Sequence, residues 1–176
     1  MLGLKSGTVR IEKYNPEWKN EFEKEWIRLE TALKEYNVNI QHVGSTSIIG
    51  CSAKPIIDIA IGVESLEYGE KLISVLEKIG YIYDGDGKIP GRHFFKKGNG
   101  ELRTHYVHVE PIDGELWTNH ILYRDYLNNH FELVKEYSIL KESLESEFAD
   151  NRDGYARKKD PFIENILEKA KEEKSR

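Results

Sequence analysis

Cysteine is almost absent from this 176-residue sequence, which contains a single one, Cys51. One cysteine excludes a disulfide bond within the chain and is typical of proteins that work in a reducing compartment. We therefore expect a cytoplasmic protein. Cys51 is either a small buried residue or a reactive thiol, and its place beside an apolar turn favours the buried residue.

Long apolar runs are also missing. No stretch approaches the ~20 residues that a membrane-spanning helix needs. Residues 1–7 lack the apolar core of a secretory signal, so we expect none there. The sequence therefore predicts no membrane partner.

An excess of positive charge is lacking as well. The 26 Lys and Arg are outnumbered by 31 Asp and Glu, which gives a net charge of -5. This balance argues against general binding to nucleic acid, although it leaves room for a local basic patch. With 39% hydrophobic residues, the chain has enough apolar content for one soluble domain, which we expect to span residues 1–176.

The residue patterns predict an α+β fold, in which a mixed sheet with packed helices is followed by a helical C-terminal third. The first helix begins at Asn15-Pro16-Glu17, and its apolar stripe is Trp18, Phe22, Trp26, Leu29 and Leu33. Strands are predicted at 39–43, 54–63 and 81–83, and the arms of a hairpin at 92–97 and 103–110. A second helix is expected from Ser65 to Gly80, and the chain is expected to be helical from about Leu116 onwards. There, one helix carries Leu122, Tyr126 and Leu127, a long one runs from about Leu133 to Phe148, and a last one begins near Pro161.

The strand at 39–43 leads into a Gly-Ser turn, and the next strand carries a single acid, Asp58. Backbone N–H groups of such a turn can bind an anion, so we expect Gly44, Ser45 and Thr46 to contact a phosphate. A carboxylate on the neighbouring strand can hold a divalent metal against the same anion. Asp58 is therefore a candidate metal ligand and catalytic residue; the alternative is a structural salt bridge or cap.

Alternation along the second strand puts Ile57, Ile59, Ile61 and Val63 on the core face. The opposite face carries Asp58 among small side chains, which predicts open space above it.

A third strand carries a histidine on the corresponding face. Val107 and Val109 are expected in the core, which turns His108 to the other side, while His105 lies on the face opposite to His108. His108 is a candidate metal ligand or general base in a cleft shared with Asp58. A hydrogen-bonded histidine within the sheet is the alternative.

Several cations could meet an anion in this cleft. Lys54 precedes the acid strand, and Arg92 and His93 lie at the start of the hairpin. Arginine suits bidentate contact with phosphate, and lysine supplies a point charge. For Lys54 and Arg92 a solvated position is the alternative, and for Lys96 and Lys97 it is the preferred interpretation. Lys158 is a further candidate.

These motifs together resemble the GrpB family. They are His42-Val-Gly-Ser-Thr-Ser47, Ala53-Lys-Pro-Ile-Ile-Asp-Ile59, Ile89-Pro-Gly-Arg-His-Phe-Phe-Lys-Lys-Gly98, Thr104-His-Tyr-Val-His-Val109, Arg124-Asp-Tyr-Leu127, and Tyr155 with Lys158. The resemblance covers about residues 8–168. It implies a nucleotidyltransferase-like fold, and the fusion of similar domains to dephospho-CoA kinase in some bacteria points to nucleotide or coenzyme A chemistry.

The resemblance also indicates roles for single residues. Gly44 and Ser45 match the phosphate-binding turn of the nucleotidyltransferase superfamily, and Asp58 matches the first acid of its Asp-x-Asp/Glu pair. The second acid is replaced by Ala60, and His108 stands at the third acidic position. Two-metal transfer needs several carboxylates. One Asp supports at most a loosely held Mg²⁺ or Mn²⁺, whereas a mixed Asp/His site would suit Zn²⁺ or a transition metal.

Three functions follow as hypotheses. The first is transfer of a nucleotidyl or phosphoryl group, and the second is a binding module that captures a nucleotide or phosphorylated small molecule without chemistry. The replacement of the second acid by Ala60 favours the second. The third, a scaffold for protein interactions on the acidic C-terminal helices, has only their charged faces behind it.

Overall fold

The computed structural model describes residues 1–175 and is organised around a six-stranded mixed sheet. The strands are β1 (Leu4–Lys5), β2 (Asn39–Val43), β3 (Ile57–Val63), β4 (Ile82–Tyr83), β5 (His93–Asn99) and β6 (Leu102–Pro111). They are ordered β2-β3-β6-β5-β4, and β1 pairs with the start of β6. Strands β3 and β6 run parallel, whereas the other described pairs are antiparallel.

Six α-helices cover the two faces of this sheet. They are α1 (Glu17–Ala32), α2 (Leu66–Glu70), α3 (Ile73–Lys78), α4 (Glu115–Asn128), α5 (Phe131–Phe148) and α6 (Arg152–Lys174), and a 3-10 turn spans Ser45–Ser47. Helices α1 to α3 pack on one face, and α4 to α6 form the other layer. The predicted α+β class and helical C-terminal third are confirmed. Within residues 1–175, no helix combines the length and apolar character needed to cross a membrane.

The main core lies between the sheet and helices α1 to α3. The β3 side chains Ile57, Ile59, Ile61 and Val63 are 0–1% exposed there, as their alternation predicts. Burying one such side chain stabilises the fold by about 1.5–3 kcal/mol. The opposite face of β3 is thereby fixed toward α4 to α6.

Helix α1 differs from its predicted stripe at one position. Trp26 is 39% exposed, whereas Glu25 is 3% exposed and faces the core. The Glu25 carboxylate accepts hydrogen bonds from Lys97 Nζ (2.6 Å) and Tyr81 OH (2.8 Å). Burial alone would raise the pKa of Glu25, but these two hydrogen bonds lower it. The prediction for Trp26 was wrong because a paired acid takes the buried position, which a hydrophobicity pattern does not reveal.

The last helix begins nine residues before the predicted start. Asn151 caps it by accepting a hydrogen bond from the Gly154 N–H (2.9 Å), and Pro161 lies inside the helix. A proline inside a helix removes one backbone donor and costs stability. The prediction of a start near Pro161 was wrong because the helix tolerates this proline in its interior. Residues 152–160 belong to the same helix. This extension brings Arg152 against the ring of Tyr106 in β6 and places Lys159 beside Tyr155 on the same helix.

Candidate ligand-binding site

A cavity of about 410 Å³ lies between the sheet face that carries Asp58 and helices α4 to α6. Seven of the residues singled out from the sequence line it: Gly44, Ser45, Thr46, Lys54, Asp58, Arg92 and His108. The parallel pairing of β3 with β6 accounts for this convergence, because it sets Asp58 opposite Tyr106 and next to His108. The volume is suitable for a small molecule of nucleotide size.

The Gly-Ser turn lies directly over the carboxylate. Gly44 has φ +70°, and a Cβ atom there would lie 2.8 Å from Asp58 Oδ2. Glycine is therefore required both by the backbone conformation and by the close approach of the carboxylate. In the same turn, buried Thr46 forms a hydrogen bond with His42 (Oγ1 to Nε2, 3.0 Å). The turn is thus tied to the ends of β2 and β3.

Three side chains form a hydrogen-bonded chain at the floor of the cavity. Arg92 Nη1 lies 2.7 Å from His108 Nδ1, and His108 Nε2 lies 3.2 Å from Asp58 Oδ1. Since a guanidinium only donates, Nδ1 accepts, and the proton of a neutral His108 is on Nε2 and points to Asp58. Burial lowers the pKa of His108, which agrees with a neutral ring.

Asp58 remains charged and open to the cavity. Burial alone would raise the pKa of Asp58, but the hydrogen bond from His108 and nearby positive charge lower it. Its side chain is 30% exposed. Asp58 is therefore neither locked against an arginine nor closed off by packed side chains.

Basic residues outnumber acids around the cavity. Among the described lining residues, five are basic and one, Asp58, is acidic; the basic residues are Lys54, Arg92, Lys141, Arg152 and Lys159. Burial, with repulsion from Arg152, lowers the pKa of Lys54 to about 8. Burial, with repulsion from Lys54, lowers the pKa of Lys159 to about 7. A locally positive cavity thus exists in a chain of net charge -5.

These cations differ in how they are compensated. Lys141 is 1% exposed, donates to Cys51 Sγ (3.0 Å) and lies 3.9 Å above the Tyr137 ring. Arg92 is held by His108 and by the backbone carbonyls of the loop before β5. Within residues 1–175, the side chains of Lys54, Arg152 and Lys159 contact aromatic rings but form neither an ion pair nor a hydrogen bond.

Two predicted ligand-binding residues do not reach the cavity. His93 lies on the opposite face of β5, where its ring nitrogens contact Tyr83 OH (3.0 Å) and the Leu66 carbonyl (2.9 Å). Lys158 is exposed, and its neighbour Lys159 lines the cavity instead. The reasons are strand alternation for His93 and the helical phase of α6 for Lys158. Lys96 pairs with Asp84 and Lys97 with Glu25, so both serve structural contacts.

The position of the second acid is closed. Ala60 is 0% exposed and packs with Val43 beneath Trp117 of α4. A carboxylate at position 60 would be buried under an indole ring, which costs several kcal/mol unless it is paired. The space predicted above this strand face is therefore limited to the end that carries Asp58.

His108 also belongs to a cluster of side chains that could bind a metal. Nitrogen and oxygen atoms of His108, Glu110 and His120 lie within 4.8 Å of one another, and His120 Nε2 is 3.2 Å from Glu110 Oε1. Glu110 is 0% exposed, and its Oε2 has no hydrogen-bond partner among residues 1–175. Residue types of this kind can bind a transition metal.

The hydrogen bond from Arg92 nevertheless makes His108 a poor metal ligand in this arrangement. A metal-bound histidine usually donates its second N–H to a carboxylate or carbonyl, whereas His108 Nδ1 faces the donor Arg92. Two-metal chemistry lacks its carboxylates, because Asp58 is the single acid among the described residues that line the cavity. The positive charge of Arg92 and the tautomer of His108 thus oppose the metal site that was predicted on Asp58 and His108 together.

Several cavity residues were missed in the sequence. Lys141 interrupts the buried α5 series Val134, Tyr137 and Leu144, and a lysine in a buried helical stripe is a signal for a functional site. Arg152 and Lys159 follow the same face of α6 as Tyr155, but this spacing is visible only when the helix begins before Pro161. His120, which also lines the cavity, carried no comparable signal.

Comparison with known proteins identifies close relatives. The family model described as "GrpB protein" matches residues 8–169. A protein of Alkalihalophilus pseudofirmus named "Glutamate-rich protein GrpB" is 39% identical over 171 residues, which cover 95% of this chain and 98% of that protein. A crystal structure of GrpB from Enterococcus faecalis has a TM-score of 0.86 and 34% identity, and the match covers 95% of this chain and all of that one.

More distant matches concern the fold and a longer protein. A structure of the Cid1 poly(U) polymerase with MgGTP bound has a TM-score of 0.52 at 14% identity, covering 70% of this chain and 39% of Cid1. A dephospho-CoA kinase of Mycolicibacterium paratuberculosis is 26% identical over 186 residues, covering 92% of this chain and 46% of the kinase. The fold is nucleotidyltransferase-like, and the chain belongs to the GrpB family.

Proposed function

We propose that this protein binds a nucleotide or another phosphorylated small molecule in the cavity between the sheet and helices α4 to α6. The observation that carries the proposal is that five basic side chains and one acid line the same cavity as the turn Gly44–Thr46. Half-buried cations without acidic partners are unfavourable unless an anion compensates them. A phosphate ester with a bulky organic part suits both the charge and the size of the cavity.

Thermal unfolding in the presence of matched ligand pairs tests this proposal. Adenosine triphosphate and coenzyme A should raise the Tm, whereas adenosine and pantetheine should not, because they lack the phosphates. At a ligand concentration about 100 times Kd the stabilisation is about 2.7 kcal/mol. An unchanged Tm with every phosphorylated compound at millimolar concentration would contradict the proposal.

A second candidate is transfer of a nucleotidyl or phosphoryl group from the same ligand, as the nucleotidyltransferase-like fold suggests. The observation in its favour is that Asp58 opens onto the cavity beside the turn, with His108 directly behind it. Asp58 is the one described carboxylate in the cavity that could share Mg²⁺ or Mn²⁺ with the phosphates of a ligand.

Product formation separates the two candidates. If the protein is a transferase, incubation with radiolabelled nucleoside triphosphate, Mg²⁺ or Mn²⁺ and a panel of acceptors should yield labelled product. Asp58→Ala should abolish the formation of this product. In the binding candidate the nucleotide is recovered unchanged, while the rise in Tm persists. Recovery of unchanged nucleotide with every acceptor would remove the transfer candidate.

A further inference from the structure

The cations of the cavity fall into two groups. Lys141 and Arg92 are engaged by Cys51, Tyr137, His108 and backbone carbonyls, so they already have partners. Lys54, Arg152 and Lys159 have no acidic partner among residues 1–175 and rest on aromatic rings. The second group is therefore available to a ligand.

These three residues lie against two aromatic side chains. Lys54 Nζ lies 5.5 Å and Lys159 Nζ 4.7 Å from the centre of the Tyr155 ring, and the Arg152 guanidinium lies 5.5 Å from the Tyr106 ring. They come from the segment before β3 and from the first half of α6. Cation–π contacts offset only part of the cost of burying such charges.

Burial, together with mutual repulsion, disfavours the charged forms of the two lysines. Burial and neighbouring positive charge lower the pKa of Lys54 to about 8 and that of Lys159 to about 7. A bound anion would reverse this effect, because it would favour the protonated amines.

Resting on the proposed function, we infer that the ligand is a polyphosphate ester bound without a divalent metal, its phosphates being held by Lys54, Arg152 and Lys159. Three cations match an anion with several negative charges better than a single phosphate. They supply the positive charge that metal ions provide in two-metal sites. A metal on Asp58 is opposed by the missing second acid at Ala60, which packs against Trp117, and by the hydrogen bond from Arg92 to His108.

Titration with inorganic tripolyphosphate, followed by calorimetry, tests this inference. The Kd in EDTA should equal or be lower than the Kd with Mg²⁺, because Mg²⁺ neutralises part of the ligand charge. Lys159→Gln and Arg152→Gln should each weaken binding at least about tenfold, which corresponds to about 1.4 kcal/mol. Lys158→Gln is the matched control, since it removes an exposed charge from the same turn, and it should leave Kd nearly unchanged.

Asp58→Asn should change the affinity for tripolyphosphate in opposite directions for metal-free and metal-dependent binding. Without a metal, removal of the one negative charge among the described lining residues should leave tripolyphosphate binding as tight or tighter. With a metal held by Asp58, the same change should weaken binding. Unfolding curves of each variant establish that it is folded. Lys159→Gln should be at least as stable as the parent protein, because it removes a buried cation that Lys54 repels.

The possible results are distinguishable. Binding that requires Mg²⁺, is lost in Asp58→Asn and is indifferent to Lys159→Gln would overturn the inference and leave the proposed function intact. Equal losses in Lys158→Gln and Lys159→Gln would also overturn it, because they would indicate nonspecific attraction. Absence of binding for tripolyphosphate, nucleotide and coenzyme A, with or without metal, would contradict the proposed function itself.

Discussion

At the scale of single residues, the turn and the carboxylate beneath it are packed as closely as their atoms permit. Gly44 approaches Asp58 through a backbone conformation that L-residues rarely adopt. The carboxylate therefore has the turn on one side, His108 on another and the cavity on the third. This packing fixes where a phosphate could meet both the turn and Asp58.

Gly44→Ala should lower the free energy of unfolding by about 1–3 kcal/mol for backbone strain, with a further loss from collision with Asp58. Gly7→Ala is the control, since Gly7 has φ +85° but a Cβ added there would meet no atom within 4 Å. Urea denaturation of both variants measures the difference. Equal losses would contradict a role for Asp58 in the requirement for glycine.

Lys159 should make the stability of the ligand-free protein depend on pH. Its pKa is about 7 in the folded protein and 10.5 ordinarily, so above pH 7 the unfolded chain binds more protons at this residue. The free energy of unfolding therefore gains a contribution that rises with pH between about 7 and 10. Denaturation curves recorded across this pH range give the free energy of unfolding at each pH. This free energy should rise less steeply with pH for Lys159→Gln than for Lys158→Gln. Identical pH dependence in the two variants would contradict the depressed pKa.

At the scale of elements, helix α1 is fastened to the sheet by a buried ion pair as well as by apolar contacts. Glu25 of α1 bonds to Lys97 of β5 and to Tyr81 just before β4. The side chains of Glu25 and Lys97 are 4% and 15% exposed, so water screens them little. Removing one partner of such a pair leaves the other charge buried and uncompensated.

Glu25→Gln should therefore destabilise the protein by about 3 kcal/mol. The effect should shrink at low pH, since the pKa of Glu25 is lowered in the folded state and its contribution is lost as the pH falls through that value. Glu23→Gln, an exposed neighbour on the same helix, should change stability little. Chemical denaturation at neutral and acidic pH gives both values, and a loss as small as that of Glu23→Gln would contradict the proposed fastening.

At the scale of the whole molecule, the sequence was sufficient for the fold class and for the sheet side of the cavity. Strand alternation placed Ile57, Asp58 and His108 on their faces because burial leaves one choice of register. It could not reveal Trp117 over Ala60 or Lys159 in place of Lys158, since both depend on how helices pack across the sheet. Local patterns thus predict which face a residue takes, and tertiary packing decides what it meets there.

The parallel pairing of β3 with β6 affects how this protein must fold. Asp58 and His108 are brought together across these two strands, although they are 50 positions apart in the chain. Closing so long a loop carries an entropic cost that hairpin contacts avoid, and such non-local pairings slow the folding of small domains. We therefore expect the β5–β6 hairpin to form first and the ligand cavity to form late. A chain trapped in a folding intermediate should contain the hairpin but lack the cavity.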